Sequence, residues 1–115
     1  MIAVIFEVIP SSGERERYLA TAAALRSRLE AIDGFISVER FQSITDPDKL
    51  LSLSFWRDEA AVKEWRQVAE HRGAQQLGRD AVFADYRLRV ASVVRDYGMF
   101  ERAEAPQVYP DKPRP

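Results

Sequence analysis

The only histidine of this 115-residue chain, His71, is the side chain best suited to acid–base chemistry near neutral pH. On a predicted second helix it shares a face with Gln75, one turn later, and Arg72 lies beside it. If this face lines a pocket, His71 can take a phenolic proton and Arg72 can hold the resulting phenolate. A structural or solvent-facing histidine on an amphipathic helix remains the open alternative.

Three further side chains are candidates for binding a substrate. Trp65 lies on the apolar stripe of the second helix, where it packs in the core or stacks on a planar aromatic substrate. Trp56 ends a predicted strand and is placed to cap a pocket or a dimer edge. Glu7 interrupts an apolar strand, where it is a candidate for a pocket carboxylate and second general base. Alternatively, Glu7 faces solvent or pairs with Arg40 or Arg89.

Composition narrows the classes of function. The length suits one domain, and a formal net charge of -1 argues against a dedicated nucleic-acid binder. Without cysteine and with one histidine, the chain has no predicted metal site. No stretch approaches the roughly 20 apolar residues that span a bilayer. The apolar N-terminus lacks the basic flank of a signal peptide, so we expect a cytoplasmic protein with no membrane partner.

Periodicity predicts two helices and four strands. The first helix opens with a possible capping box, Ser11 to Glu14, and stops at Gly34. The second begins at Asp58, a good N-cap, and continues to Gly78. The predicted strands cover 2–9, 35–43, 49–56 and 86–95, and residues 80–85 form a short connection. The order β-α-β-β-α-β is that of the α+β, ferredoxin-like fold with a four-stranded antiparallel sheet.

The predicted sheet carries apolar residues on both faces, whereas the helices cover only one. We therefore expect a homodimer in which two sheets pack face to face as a dimeric α/β barrel. Residues 1–98 form the predicted domain, and residues 99–115 form a proline-rich tail that is flexible or packed on the partner. A monomer whose tail covers the free face is the alternative.

Three segments resemble the antibiotic biosynthesis monooxygenase superfamily of small dimeric α/β-barrel proteins. They are residues 54–65, 70–79 and 90–97, and the overall pattern covers residues 2–97. The resemblance implies oxidation of aromatic polyketides or quinols by O2 without metal or flavin, or else haem binding and degradation. Haem-degrading relatives carry an Asn near the end of the first strand, where Phe6 and Glu7 stand here. They also carry a His ten residues after the helical Trp, where this chain has Gln75, whose neutral amide is not a usual axial haem ligand. Haem degradation is therefore disfavoured, and His71, four residues earlier, is an imperfect substitute for the missing His.

The sequence therefore predicts a monooxygenase that needs no cofactor and acts on a planar aromatic, polyketide or quinol-type molecule. The predicted catalytic residues are His71 and Arg72, and the predicted substrate-binding residues are Trp65, Gln75, Trp56 and Glu7. Two alternatives remain open, namely a small-ligand-binding or sensing module without turnover and a haem-binding or haem-degrading protein.

Overall fold

The structure, a computed structural model, describes residues 1–69 and 81–107. Its elements are β1 (Ile2–Pro10), α1 (Arg15–Glu30), β2 (Phe35–Gln42), β3 (Leu50–Trp56), α2 (Glu59–Ala69) and β4 (Phe83–Ser92). This order confirms the predicted βαββαβ arrangement of the ferredoxin-like fold. None of the helices in the described part of the chain is long and apolar enough to cross a membrane.

The four strands form one antiparallel sheet in the order β2-β3-β1-β4. The register aligns Arg40, Ser52, Phe6 and Leu88 in one row across all four strands. Successive side chains of a strand point to opposite faces, so this row belongs to a single face. All four of its side chains line a cavity together with residues of α1 and α2, which identifies this as the helix-covered face.

Two hydrophobic clusters fill the space between helices and sheet on either side of that row. One is built around the fully buried Trp56, and the other around Val8 and Val82. The buried members of the first are Ile2, Val4, Leu29, Ile32, Trp56, Ala61 and Val62, and those of the second are Val8, Tyr18, Leu50 and Val82. The central row, in which Arg40 and Ser52 stand beside Phe6 and Leu88, contributes no residue to the buried part of either cluster, although Phe6 packs against the second.

The turn that follows α1 holds the start of α2 in place. Gly34 has a φ of +94°, and a Cβ added to it would lie 2.9 Å from Cβ of Ala61 in α2. Such a left-handed φ and so close an approach require glycine. Arg57 bridges the two segments through bonds of 3.2 Å to both carboxylate oxygens of Asp33 and 2.9 Å to Asp58. These contacts position the first turn of α2 against the end of α1.

The predicted N-cap of α2 is confirmed, because Oδ1 of Asp58 accepts a hydrogen bond of 3.0 Å from the backbone N–H of Ala61. That bond, together with the one from Arg57, holds the pKa of Asp58 below its ordinary value of 3.8. The predicted end of this helix at Gly78 lies outside the described residues.

Several local predictions are wrong. The first helix, α1, ends at Glu30 rather than at Gly34, and β4 ends at Ser92 rather than at residue 95. The capping box does not form, since α1 begins at Arg15 after an N-cap, Glu14, that makes no side-chain bond. The hydroxyl of Ser11 instead donates a bond of 2.7 Å to the carbonyl of Ala81. The last strand begins at Phe83, inside the predicted connection, because β1 extends to Pro10 and pairs with Phe83 there.

Candidate functional site in a cavity between helices and sheet

A cavity of about 400 Å³ lies between the two helices and the centre of the sheet. Its floor is the central row, where the small side chain of Ser52 leaves room beside Phe6. Its roof includes Ala22 and Leu25 of α1 and Val62 of α2. A concave, mostly apolar space of this size is typical of small-molecule binding sites.

Aromatic rings form much of the wall. The Phe6 ring centroid lies 5.9 Å from that of Phe83 and 5.6 Å from that of Tyr86, and Tyr18 lies 5.9 Å from Phe83. Trp65 adds a fifth ring from α2. Tilted and edge-to-face pairs of this kind fix ring orientations, and the exposed ring faces can stack on a planar ligand.

The two tryptophans have different positions relative to the cavity. Trp65 lines it and also packs against the adjoining hydrophobic cluster, so its position fits both roles considered for it. Trp56 is 0% exposed and does not line the cavity, and its Nε1 donates a bond of 2.9 Å to Oγ of the buried Ser54. The two indoles stack with centroids 6.3 Å apart. Trp56 is therefore a core residue that packs against the indole ring of Trp65, and it does not cap the pocket.

Glu7 lies on the opposite face of the sheet, away from the cavity. Its carboxylate pairs with Arg89 at 3.1 Å and with Lys49 at 3.9 Å. The position does not fit the predicted pocket carboxylate, because strand alternation points residue 7 away from the neighbouring Phe6. Of the two ion pairs considered for Glu7, the structure contains the one with Arg89, whereas Arg40 faces the helices.

The remaining predicted site residues, His71, Arg72 and Gln75, lie outside the described residues. The described residues that line the cavity include no His, Cys or Met, but they include Tyr18 and Tyr86, whose phenol oxygen is another possible axial ligand of haem iron. These described residues offer no imidazole or carboxylate for acid–base chemistry.

The charged side chains of the cavity are Arg40 of β2 and Arg66 of α2, and none of its described lining residues is acidic. Nε of Arg40 is buried and has no hydrogen-bond partner among the residues that the structure describes. Sequence reasoning considered Arg40 only as a partner for Glu7. The available signal was strand alternation, which places Arg40 on the same face as Val38, a residue packed against the core.

Comparison with known proteins identifies one family that this chain matches. The family model described as antibiotic biosynthesis monooxygenase matches residues 1–77. The chain is 50% identical over 93 residues to a protein of Pyricularia oryzae named jasmonate monooxygenase ABM, a match covering 81% of this chain. It spans only 43% of that relative's length.

Solved structures share the fold. Rv0793 from Mycobacterium tuberculosis matches with a TM-score of 0.72 at 18% identity, covering 84% of this chain and 98% of that one. A MhuD mutant with two manganese protoporphyrin IX molecules bound per active site matches with a TM-score of 0.67 at 18% identity, covering 85% and 99%. At these identities the likeness shows a common fold and no more.

Proposed function

Because the chain belongs to the antibiotic biosynthesis monooxygenase family, we propose that it is a monooxygenase for a small, largely apolar molecule bound between helices and sheet. The observation that carries this proposal is the aromatic cavity of about 400 Å³ at the centre of the sheet. A planar substrate would stack on Trp65, whose own orientation is supported by the buried Trp56.

The proposed chemistry uses the substrate itself as the source of electrons. A phenol or quinol that loses its proton becomes an electron-rich anion, and this anion can reduce O2 without a cofactor. One oxygen atom then enters the substrate and the other leaves as water, while the substrate supplies two electrons. His71 is the proposed base, and Arg72 is proposed to hold the anion.

Oxygen uptake tests this function directly. Hydroquinones are suitable substrates, and jasmonate is a second choice because the relative from Pyricularia oryzae is named for it. Jasmonate would be supplied with and without a hydroquinone as reductant. We expect O2 consumption and, from a hydroquinone, a hydroxyquinone that has gained one oxygen atom and lost two hydrogens. Jasmonate, for which the added hydroquinone supplies the two electrons, should gain one oxygen atom. His71→Ala should abolish this turnover and leave binding in place.

A matched pair of variants connects any turnover to the cavity. Ser52→Leu fills the cavity floor, whereas Ser27→Leu makes the same change at an exposed position of α1 that does not line the cavity. Turnover should be lost in the first variant and kept in the second. Equal turnover in both would place the reaction elsewhere on the protein.

A binding module without turnover is the second candidate function. The favouring observation is that the described lining residues hold neither a carboxylate nor an imidazole that could act as a base. Saturable ligand binding without oxygen uptake, for hydroquinones and jasmonate alike, would support this candidate. A titration with hemin belongs to the same series, since a Soret shift would indicate haem binding instead.

We also propose that the chain forms a homodimer through the face of the sheet that the helices leave free. The half-buried side chains of Ile5, Leu51, Leu53 and Phe55 lie on this face, and Phe41 beside them is 43% exposed. An apolar face of this extent is typically covered by a partner. Two-fold self-association is the most common arrangement that covers such a face.

Sedimentation velocity at micromolar concentration tests the dimer. Leu53→Lys places a charge at the centre of the free face and should produce a monomer. Ala24→Lys, at an exposed position of α1, is the control and should remain dimeric. A monomeric wild type would contradict the proposed assembly.

A further inference from the structure

We propose that Arg40 binds a carboxylate group of the ligand, so that the cavity selects small apolar acids over neutral molecules of the same shape. This inference rests on the proposed function, since it takes the cavity as the ligand site. It adds the chemical class of the ligand and a binding residue on β2.

The first support is the state of the Arg40 side chain. It stands in the central row of the sheet beside Ser52, with the apolar Phe6 next along the row. Arg40 lines the cavity, and its Nε is buried without a hydrogen-bond partner within the described part of the chain. A buried donor without a partner loses its water without gaining a bond, so such groups in native proteins call for an explanation. A ligand that draws the guanidinium group toward the cavity would give this donor an acceptor.

The second support is the charge of the cavity. Arg40 and Arg66 both line it, and its described lining contains no Asp or Glu to balance them. The nearest acid along β1, Glu7, points to the other face and is already paired with Arg89 and Lys49. Because the described lining carries a net positive charge, an anionic ligand complements this cavity better than a neutral one.

The geometry of the guanidinium group favours a carboxylate among the possible anions. Nε and a neighbouring Nη donate in parallel and match the two oxygens of a carboxylate. The hydroxyl of Ser52, the cross-strand neighbour of Arg40, can donate a further bond. Most of the other lining residues are aliphatic or aromatic, which suits a single charge attached to an apolar body.

The test compares two ligands that differ only in charge. The probes are 1-naphthaleneacetate and its neutral isostere 1-naphthaleneacetamide, titrated calorimetrically at pH 7. Wild type should bind the acid about tenfold or more tightly than the amide, the usual effect of one charge-assisted hydrogen bond. Arg40→Met should weaken acid binding by about the same factor and leave amide binding unchanged, which brings the ratio close to one.

Two further variants make the result specific to Arg40. Arg87→Met removes the same charge from the opposite face of the sheet and should keep the wild-type preference for the acid. Arg40→Lys keeps the positive charge but loses the parallel pair of N–H donors, so it should retain part of the preference for the acid over the amide. Thermal melting serves as the control for folding, and Arg40→Met should melt no lower than wild type, because it removes an unpaired buried donor.

The outcomes separate the two proposals. Equal binding of acid and amide by wild type, or an unchanged preference in Arg40→Met, overturns the role of Arg40 while the cavity remains the ligand site. If Ser52→Leu binds both probes as tightly as wild type does, the cavity is not the ligand site. The inference about Arg40 then fails as well. If Arg40→Met melts well below wild type, Arg40 is a structural residue and the inference fails.

Discussion

Filling the cavity through Ser52→Leu should make the protein more stable and at the same time weaken its binding of ligand. Ser52 lies between Arg40 and Phe6 in the central row, and the space above it is the cavity of about 400 Å³. The change replaces a hydroxyl by an isopropyl group that extends into this space. Most substitutions in a packed core cost stability, so a gain here is diagnostic of empty space.

The size of the gain follows from the buried surface. Three additional carbon groups leave water, worth roughly 2.4 kcal/mol at about 0.8 kcal/mol each. Ordering a leucine side chain costs about 0.5–1 kcal/mol, which leaves a net gain of about 1.5 kcal/mol. For a domain of this size that corresponds to a rise in Tm of roughly 6 °C.

The assay combines thermal melting with calorimetric titration of 1-naphthaleneacetate. Ser52→Leu should melt higher than wild type and bind the acid at least about tenfold more weakly, since the leucine occupies the ligand's place. Ser27→Leu, exposed on α1, should leave binding unchanged. A Ser52→Leu protein that melts several degrees lower, or that binds the acid as wild type does, would refute the existence of a usable cavity.

Three further substitutions test the packing that positions the site. Trp56→Phe removes the Nε1 donor from Oγ of the buried Ser54, and with the lost ring volume it should reduce the free energy of unfolding by about 2 kcal/mol, measured by urea denaturation; an unchanged midpoint would show that the indole is not a core anchor. Gly34→Ala should cost about 1–3 kcal/mol because of its φ of +94° and the 2.9 Å approach to Ala61, and a neutral result would contradict that geometry. Since the pKa of Asp58 is lowered on folding, the stability that it contributes is fully present above its unfolded pKa near 3.8 and is lost as the pH falls through the lower folded value. Urea midpoints measured between pH 6 and pH 2 should therefore decline less in Asp58→Asn than in wild type, and parallel declines would contradict this origin.

The order and type of the elements could be predicted because each is encoded locally. The clean alternation of residues 50–56 predicts the strand, and Leu50, Ser54 and Trp56 do face the core together. The cap of α2 at Asp58 is equally local, as is the left-handed turn at Gly34.

The predictions that are wrong depend on contacts distant in sequence. Ser11 bonds to Ala81, 70 residues later, in place of the local capping box. Trp56 ends its strand, a position that is commonly exposed, but Phe35, Trp65 and the start of α2 enclose it. The face of Glu7 relative to Arg40 depends on the register of three strands, which hydrophobic periodicity alone does not specify.

The candidate site was predicted in part. Spacing on the second helix places Trp65 on an apolar face, and that face does border the cavity. The sequence does not predict Arg40 as a site residue, because a single charge in an edge strand is typical of an ordinary solvated residue. Only the three-dimensional arrangement shows that it stands beside a small serine, under two helices, with a buried nitrogen.

The central claim is that a small molecule binds between the helices and the central row of the sheet, and a crystal structure with 1-naphthaleneacetate tests it most directly. The account predicts density for the naphthalene ring between Trp65 and Phe6, with the carboxylate within hydrogen-bond distance of Arg40. Ligand density confined to the opposite face of the sheet, beside Leu53, would contradict it.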